Sequence, residues 1–391
     1  MRPSRPCKQK GDFAPTAATL YIHVPFCLAK CGYCDFYSVP VHSADPARCI
    51  HAMGAELRAC EGGLVRPVES IFVGGGTPTA VGPDLLRRLL AEVTRFADGR
   101  TEFTVEANPC TVGSAVAGVL SDSGVNRVSV GVQSFQAEEL ALLGRRHTPS
   151  QAAEAVATLR SAGIDNIGVD LIYGVPNQSL GSWQDSLRRA IELGARHLSC
   201  YALSFEQDTP LERRLAAGEV GQMDEQLQKD CYYAAIDLAE AAGLEHYELS
   251  NFAQPGRRCR HNLTYWRNEP YLGIGPAAAS YLAGTRRTNR PDLAAYVEAI
   301  ESGLAAPATS EKLEGRSAMA ETIMLGLRLT DGLDRAAFAR RHGQDAAEAF
   351  GRTVRRYAEL GALRVAPSHI RLDRGTLFAA DTVLADFLAE A

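Results

Sequence analysis

The sequence predicts an α/β fold, a partial (β/α)6 parallel barrel followed by a smaller C-terminal winged-helix-like α+β domain. Three observations predict it. Six short apolar runs rich in Val, Ile, Leu and Phe recur along the first half of the chain, amphipathic stretches with helical spacing lie between them, and polar or glycine-rich residues cluster where the runs end. Apolar runs of this length read as strands buried on both faces, and their alternation with helices implies right-handed crossovers and a parallel sheet.

The strands are expected at Thr19 to Val24, Ser70 to Val73, Glu102 to Ala107, Arg127 to Val132, Asn166 to Tyr173 and His197 to Leu203. Helices are expected at Pro83 to Phe96, Ser150 to Ala162, Leu180 to Leu193 and Glu225 to Ala242. This gives an N-terminal extension over 1–18, a barrel over 19–245, an extension and linker over 246–312, and a C-terminal domain over 313–391. The segment Tyr247 to Ser280 is rich in aromatics, Gly and Pro, and a linker is expected around Gly303 to Ser310. Beyond it come helices near Ser317 to Leu329, Asp334 to Arg341 and Ala346 to Gly361, then strands near Leu363 to Val365 and Ile370 to Leu372.

With 391 residues, 46% hydrophobic and 22% charged, the chain can bury a large core and accommodate a second domain. A formal net charge of -5 and only scattered arginines, among them Arg352, Arg355 and Arg356, argue against nucleic acid as a partner. Arg2, Arg5, Lys8 and Lys10 lead into Gly11, Asp12 and Pro15 without the apolar stretch of a secretory signal, and no later stretch reaches membrane-spanning length. The expected location is the cytoplasm, with no integral membrane segment.

Three of the ten cysteines, Cys27, Cys31 and Cys34, form a CxxxCxxC run directly after the first strand. In a reducing compartment such crowding favours metal binding over disulfides. Three thiolates leave one iron of a four-iron cluster open to a small chelating molecule. A zinc site completed by His23 or His42 is the alternative, but structural zinc prefers four ligands in paired spacing and no second pair appears. A ferredoxin run would be CxxCxxC with a remote fourth cysteine before proline. Ligands of open or closed parallel sheets bind beyond the carboxyl ends of the strands. Gly74-Gly75-Gly76-Thr77-Pro78, Glu106, Gln133 and Asp170 all fall at or near those ends, nominating one common mouth.

These motifs resemble the radical S-adenosylmethionine (SAM) superfamily, in which CxxxCxxC binds a [4Fe-4S] cluster whose open iron chelates SAM. The resemblance implies that Cys27, Cys31 and Cys34 hold the cluster. It also implies that Tyr21, Tyr33, Gly75, Gly76, Thr77, Glu106, Gln133, Arg145, Asp170 and Ala202 contact SAM, and that an electron donor is needed if SAM is cleaved. Glu106 and Asp170 suit its ammonium or ribose hydroxyls, and Arg145 its carboxylate.

The narrower motifs YIHxPFCxxxCxYCDF, GGGTP, VGVQSF, DLIYGxP, YExSNFA and HNxxYW resemble the group that contains oxygen-independent coproporphyrinogen III dehydrogenase and the heme chaperones related to it. Phe36 stands where the dehydrogenase carries an additional cysteine, and His261-Asn262-Leu263-Thr264-Tyr265-Trp266 matches the signature associated with heme in the chaperone branch. The resemblance therefore implies heme as cargo, an acceptor protein as partner, and His261, Asn262, Tyr265 and Trp266 as heme-binding candidates. His261 is a candidate iron ligand through its imidazole, with the Cys259 thiolate as another, and Arg257, Arg258 and Arg260 are either partners for propionates or a solvated basic loop. The alternative within the group is radical SAM oxidative decarboxylation of coproporphyrinogen III, an enzyme of porphyrin synthesis, so the sequence leaves open whether the chain is an enzyme. One departure stands out: Gly273 to Ser280 lacks the histidine that many relatives carry in the Ala278 or Ala279 region.

Overall fold

The computed structural model describes residues 17–391, so all but the last two residues of the extension expected over 1–18 lie outside the described residues. Six parallel strands, β1 (Thr19–Val24), β2 (Ser70–Gly75), β3 (Glu102–Ala107), β4 (Arg127–Gln133), β5 (Asn166–Tyr173) and β6 (His197–Ala202), pair in sequence order. Each matches an expected apolar run within two residues.

Residues beyond the boundary drawn at 245 extend this sheet at both edges. An antiparallel pair, β7 (Glu245–Glu248) and β8 (Asn251–Ala253), continues it past β6. A further strand, β9 (Leu272–Ile274), runs parallel to β1, with Ile274 opposite Ile22. The nine strands follow the order β9-β1-β2-β3-β4-β5-β6-β8-β7, and β9 and β7 do not pair, so the barrel is open.

Helices cover the outer face through apolar stripes. Pro149–Ser161 and Leu180–Glu192 start at capping boxes built on Thr148 with Gln151 and Ser179 with Ser182. Trp183 is fully buried and donates its indole N–H to Cys231 O at 2.8 Å, joining Leu180–Glu192 to the helix Glu225–Ala241. The helix Pro46–Cys60, not expected from the sequence, carries the buried Glu56, whose carboxylate accepts from Gly275 N–H (2.8 Å), Asn289 Nδ2 (2.9 Å) and Tyr296 Oη (2.6 Å). That network fixes the turn after β9 against the barrel wall.

The linker expected at Gly303 to Ser310 runs into a strand. Ala308–Lys312 pairs with Thr285–Asn289, which pairs with Ala279–Leu282, in a small antiparallel sheet. The C-terminal region holds helices Gly315–Gly326, Arg335–His342 and Gly351–Glu359 with a sheet of Leu333–Asp334, His369–Leu372 and Leu363–Val365, a winged-helix-like arrangement. Among the described residues no helix is long and apolar enough to cross a membrane.

Candidate functional site: two cavities sharing one wall

At the carboxyl end of the barrel strands lies a cavity of about 500 Å³. All three cysteines of the CxxxCxxC run line it, as do all ten residues nominated for SAM, and so does Asn262. Eight separate segments of sequence, from the Tyr21 to Cys34 stretch to Asn262, thus converge on one space.

The cysteine loop is held by backbone contacts. Gly32 N–H donates to Leu143 O at 3.1 Å, and Leu211 N–H donates to Gly32 O at 2.8 Å. Gly76 approaches so closely that a Cβ there would lie 2.6 Å from Phe26 O, which is why the turn after β2 must be bare. Thr77 Oγ1 sits 3.6 Å from Cys27 Sγ, and Arg145 Nη1 donates to Cys31 Sγ at 3.4 Å. Burial pushes the Cys34 thiol up to about 11, a penalty that a metal removes by taking the thiolate directly.

Thiolates are the donors a [4Fe-4S] cluster takes, and the loop offers three of them to one half-buried space. Among the described residues no three His, Cys, Asp or Glu side chains come together as ligands for a single ion. His23 engages both ring nitrogens, with Nε2 2.9 Å from Tyr37 O and Nδ1 3.1 Å from Tyr21 Oη. The residues present therefore fit a cluster better than the zinc alternative.

The polar residues beside the cysteines are organised in advance. Gly75 N–H donates to Glu106 Oε2 at 3.1 Å, and Ser129 Oγ donates to both Asp170 oxygens at 3.0 and 3.2 Å. Gln133 takes φ +70 where the β4 to β5 register shifts, an uncommon conformation for a side chain other than glycine. Burial, with the Asp170 charge second, raises the Glu106 carboxyl to about 7, and the Gly75 N–H offsets part of this.

A folded-state value above the ordinary 4.5 means that the folded chain holds this proton more tightly than the unfolded chain. Its stability contribution is present below pH 4.5 and is lost as pH rises through about 7. Glu106→Gln is expected to flatten that part of the pH dependence in urea titrations from pH 4 to 8. An unchanged profile would contradict the assignment.

A second cavity, about 540 Å³, adjoins the first. Tyr265, Trp266 and Tyr271 supply much of its aromatic surface, and Tyr21, Asp35 and Phe36 line both cavities. Phe36 is 66% exposed, unusual for a phenylalanine. Trp266 packs beneath Arg328, whose guanidinium carbon is 4.6 Å from the ring centroid, and its buried indole N–H has no partner among the described residues.

The HNxxYW segment is the helix Arg260–Trp266, and the structure splits its four nominated residues. Asn262 lines the first cavity, while Tyr265 and Trp266 line the second. His261 lines neither: it is 1% exposed, with Nδ1 3.1 Å from Ser70 Oγ and Nε2 2.9 Å from Tyr265 Oη. Burial and then the Arg127 charge press its pKa down to about 3, so the ring is neutral at physiological pH. The arginines before it also lie elsewhere: Arg258 pairs with Glu245 and Asp331, Arg260 donates to Arg100 O, and neither they nor Arg257 line either cavity.

Sequence reasoning missed Arg127, Ser129 and Ser199 in the first cavity and Tyr271 and Arg286 in the second. A polar residue opening an apolar strand was the available signal for Arg127. For Arg286 it was strand alternation within Thr285–Asn289, which sends Arg287 the other way, to Asn289 and Ala306 O.

Comparison with known proteins identifies the family. The radical SAM superfamily model matches residues 21–190, and the HemN C-terminal domain model matches residues 313–378. The chain is 32% identical to the heme chaperone HemW of Bacillus subtilis, over 95% of this chain and 99% of that one. It is 36% identical to HemW of Lactococcus lactis (80% and 82% covered) and 38% identical to HemW of Escherichia coli (66% and 69%). The fold is shared with the solved structure of E. coli coproporphyrinogen III oxidase HemN, at TM-score 0.82 and 22% identity, covering 97% of this chain and 92% of that one. The superfamily implies SAM and a [4Fe-4S] cluster, and the breadth of the match to the chaperones decides the branch: the chain belongs to the HemW family of radical SAM proteins.

Proposed function

We propose that this protein is a cytoplasmic heme chaperone: it holds heme against Tyr265 and Trp266 in the second cavity, beside a [4Fe-4S] cluster and SAM in the first, and passes the heme to an acceptor protein. The observation that carries the reading is the placement of the HNxxYW helix as a wall between the two cavities, presenting an aromatic face to the second. A flat apolar macrocycle gains most from such aromatic surfaces. The open iron of a cluster supplies a coordination position for SAM. Around it, Cys27, Cys31 and Cys34 bind the cluster, Glu106 and Asp170 offer carboxylates to ammonium and hydroxyl groups, and Arg145 offers a guanidinium to a carboxylate. Because both His261 nitrogens are engaged inside the wall, His261 acts on heme by orienting Tyr265.

The test is an anaerobic hemin titration of cluster-reconstituted protein followed by Soret absorbance, then transfer of the bound heme to an apo-hemoprotein. Saturable binding is expected, weakened on the order of ten-fold in Trp266→Ala, the loss of one aromatic anchor. Absence of saturable binding, or SAM-dependent conversion of coproporphyrinogen III to protoporphyrinogen IX, would replace the chaperone reading with the dehydrogenase one.

A further inference from the structure

The second cavity has aromatic walls and, among the described residues, one Lys or Arg side chain. That side chain is Arg286; among the described residues Asp35, at the side shared with the first cavity, is the sole Asp or Glu that lines it. An aromatic pocket with a single guanidinium suits a ligand with a broad apolar body and a carboxylate at its edge.

The guanidinium is held in place. Nη1 donates to Glu321 Oε1 at 2.8 Å, and Glu321 also accepts from Asn268 Nδ2 at 3.3 Å. Glu311 stands 4.0 Å from the same nitrogen. Tyr271 hydrogen-bonds to the group, and the guanidinium carbon lies 5.6 Å from the Tyr281 ring centroid. A guanidinium carries five N–H donors in a rigid fork, so a carboxylate on one nitrogen orients it while leaving others for a ligand. Its side chain is 30% exposed, against 10% for Glu321. The ion pair is thus anchored on its inner side and open on the cation's side.

We propose that Arg286 is the carboxylate anchor of the cargo cavity: it binds a propionate of the heme and sets the orientation in which the macrocycle lies on Tyr265 and Trp266. This rests on the chaperone reading and adds to it a selectivity for tetrapyrroles bearing free carboxylates.

The experiment compares hemin with hemin dimethyl ester, whose propionates are esterified, in matched detergent on the cluster-reconstituted full chain. Wild type is expected to bind hemin on the order of ten-fold more tightly than the diester, the scale of one charge-assisted pair. Arg286→Ala should abolish that preference while leaving diester affinity within about two-fold, and Arg286→Lys should restore part of it by keeping the charge without the fork. Equal affinity of wild type for both ligands would overturn the proposal. So would an equal loss for both ligands in Arg286→Ala, which would mark a structural role through Glu321. No saturable binding of either ligand by wild type would instead remove the chaperone reading, and this proposal with it.

Discussion

Cys27→Ala, Cys31→Ala and Cys34→Ala are each expected to lower the iron recovered after anaerobic reconstitution from about four per chain to below about one. Three thiolates are already one short of the iron count, so loss of another leaves two irons without protein ligands. The informative control is Cys110→Ala. Cys110 is exposed on the turn Pro109–Thr111 and lines the same cavity, so proximity alone would qualify it as a ligand. Full iron in Cys110→Ala with loss in the other three fixes the ligand set at the CxxxCxxC loop. Loss in Cys110→Ala alongside retention in any of the three would refute it.

The barrel strands were legible because a parallel sheet buried on both faces leaves near-continuous apolar runs, and Leu20, Ile22 and Val24 of β1 are all buried. What extends the sheet at its edges was not legible. β7 and β8 are short and hold polar residues such as Glu248 and Asn251, which are buried, the Asn251 amide N–H donating to a Glu248 carboxylate oxygen. Their strand character comes from pairing with β6, a tertiary fact. The single helix expected over Ala346 to Gly361 divides at Phe350, whose backbone leaves the helical region (φ -119, ψ 41). That ring is fully buried under the Arg316 guanidinium, 4.4 Å from its centroid, and packing overrides propensity there.

The site was legible to a different degree in its two halves. Cluster and SAM candidates sit at strand ends, and strand ends of a parallel sheet necessarily share a mouth, so their convergence follows from topology. The HNxxYW residues sit on one short helix, where the sequence gives order along the axis but not what lies at each end. Asn262 and Trp266 are four residues apart, about 6 Å along a helix axis, and that rise separates the two cavities they line. His261 and Tyr265 share one face and meet each other, which leaves the imidazole inside the wall.

That wall depends on Glu102, and Glu102→Ala is expected to have the largest effect on stability. The carboxylate, 6% exposed at the start of β3, accepts the backbone N–H groups of Arg260 (3.0 Å) and His261 (3.1 Å). These are donors of the helix's first turn, which has no side-chain cap at Cys259. Nearby, Arg127 is 2% exposed with Nε and Nη1 unpartnered among the described residues. Burial opposes its charge, while Cys259, Glu102, Tyr247 and Asp170 favour it. Burial holds Cys259 up at about 12, so at neutral pH it is a thiol, and Glu102 is the carboxylate that can answer this cation at the helix end.

Removing Glu102 therefore leaves two helix donors without an acceptor and a buried cation with one fewer nearby carboxylate, at a cost of about 3 kcal/mol or more. The urea midpoint should fall accordingly, and hemin affinity should fall with it because Tyr265 and Trp266 ride on the released helix. Glu102→Gln, which keeps an acceptor but not the charge, should cost about half as much. Adding Arg127→Met to Glu102→Ala should recover on the order of 1 kcal/mol through the removed cation. A loss below about 0.5 kcal/mol in Glu102→Ala, or strictly additive losses in the double variant, would show that the helix is held by its packing alone and that the buried charges are incidental to it.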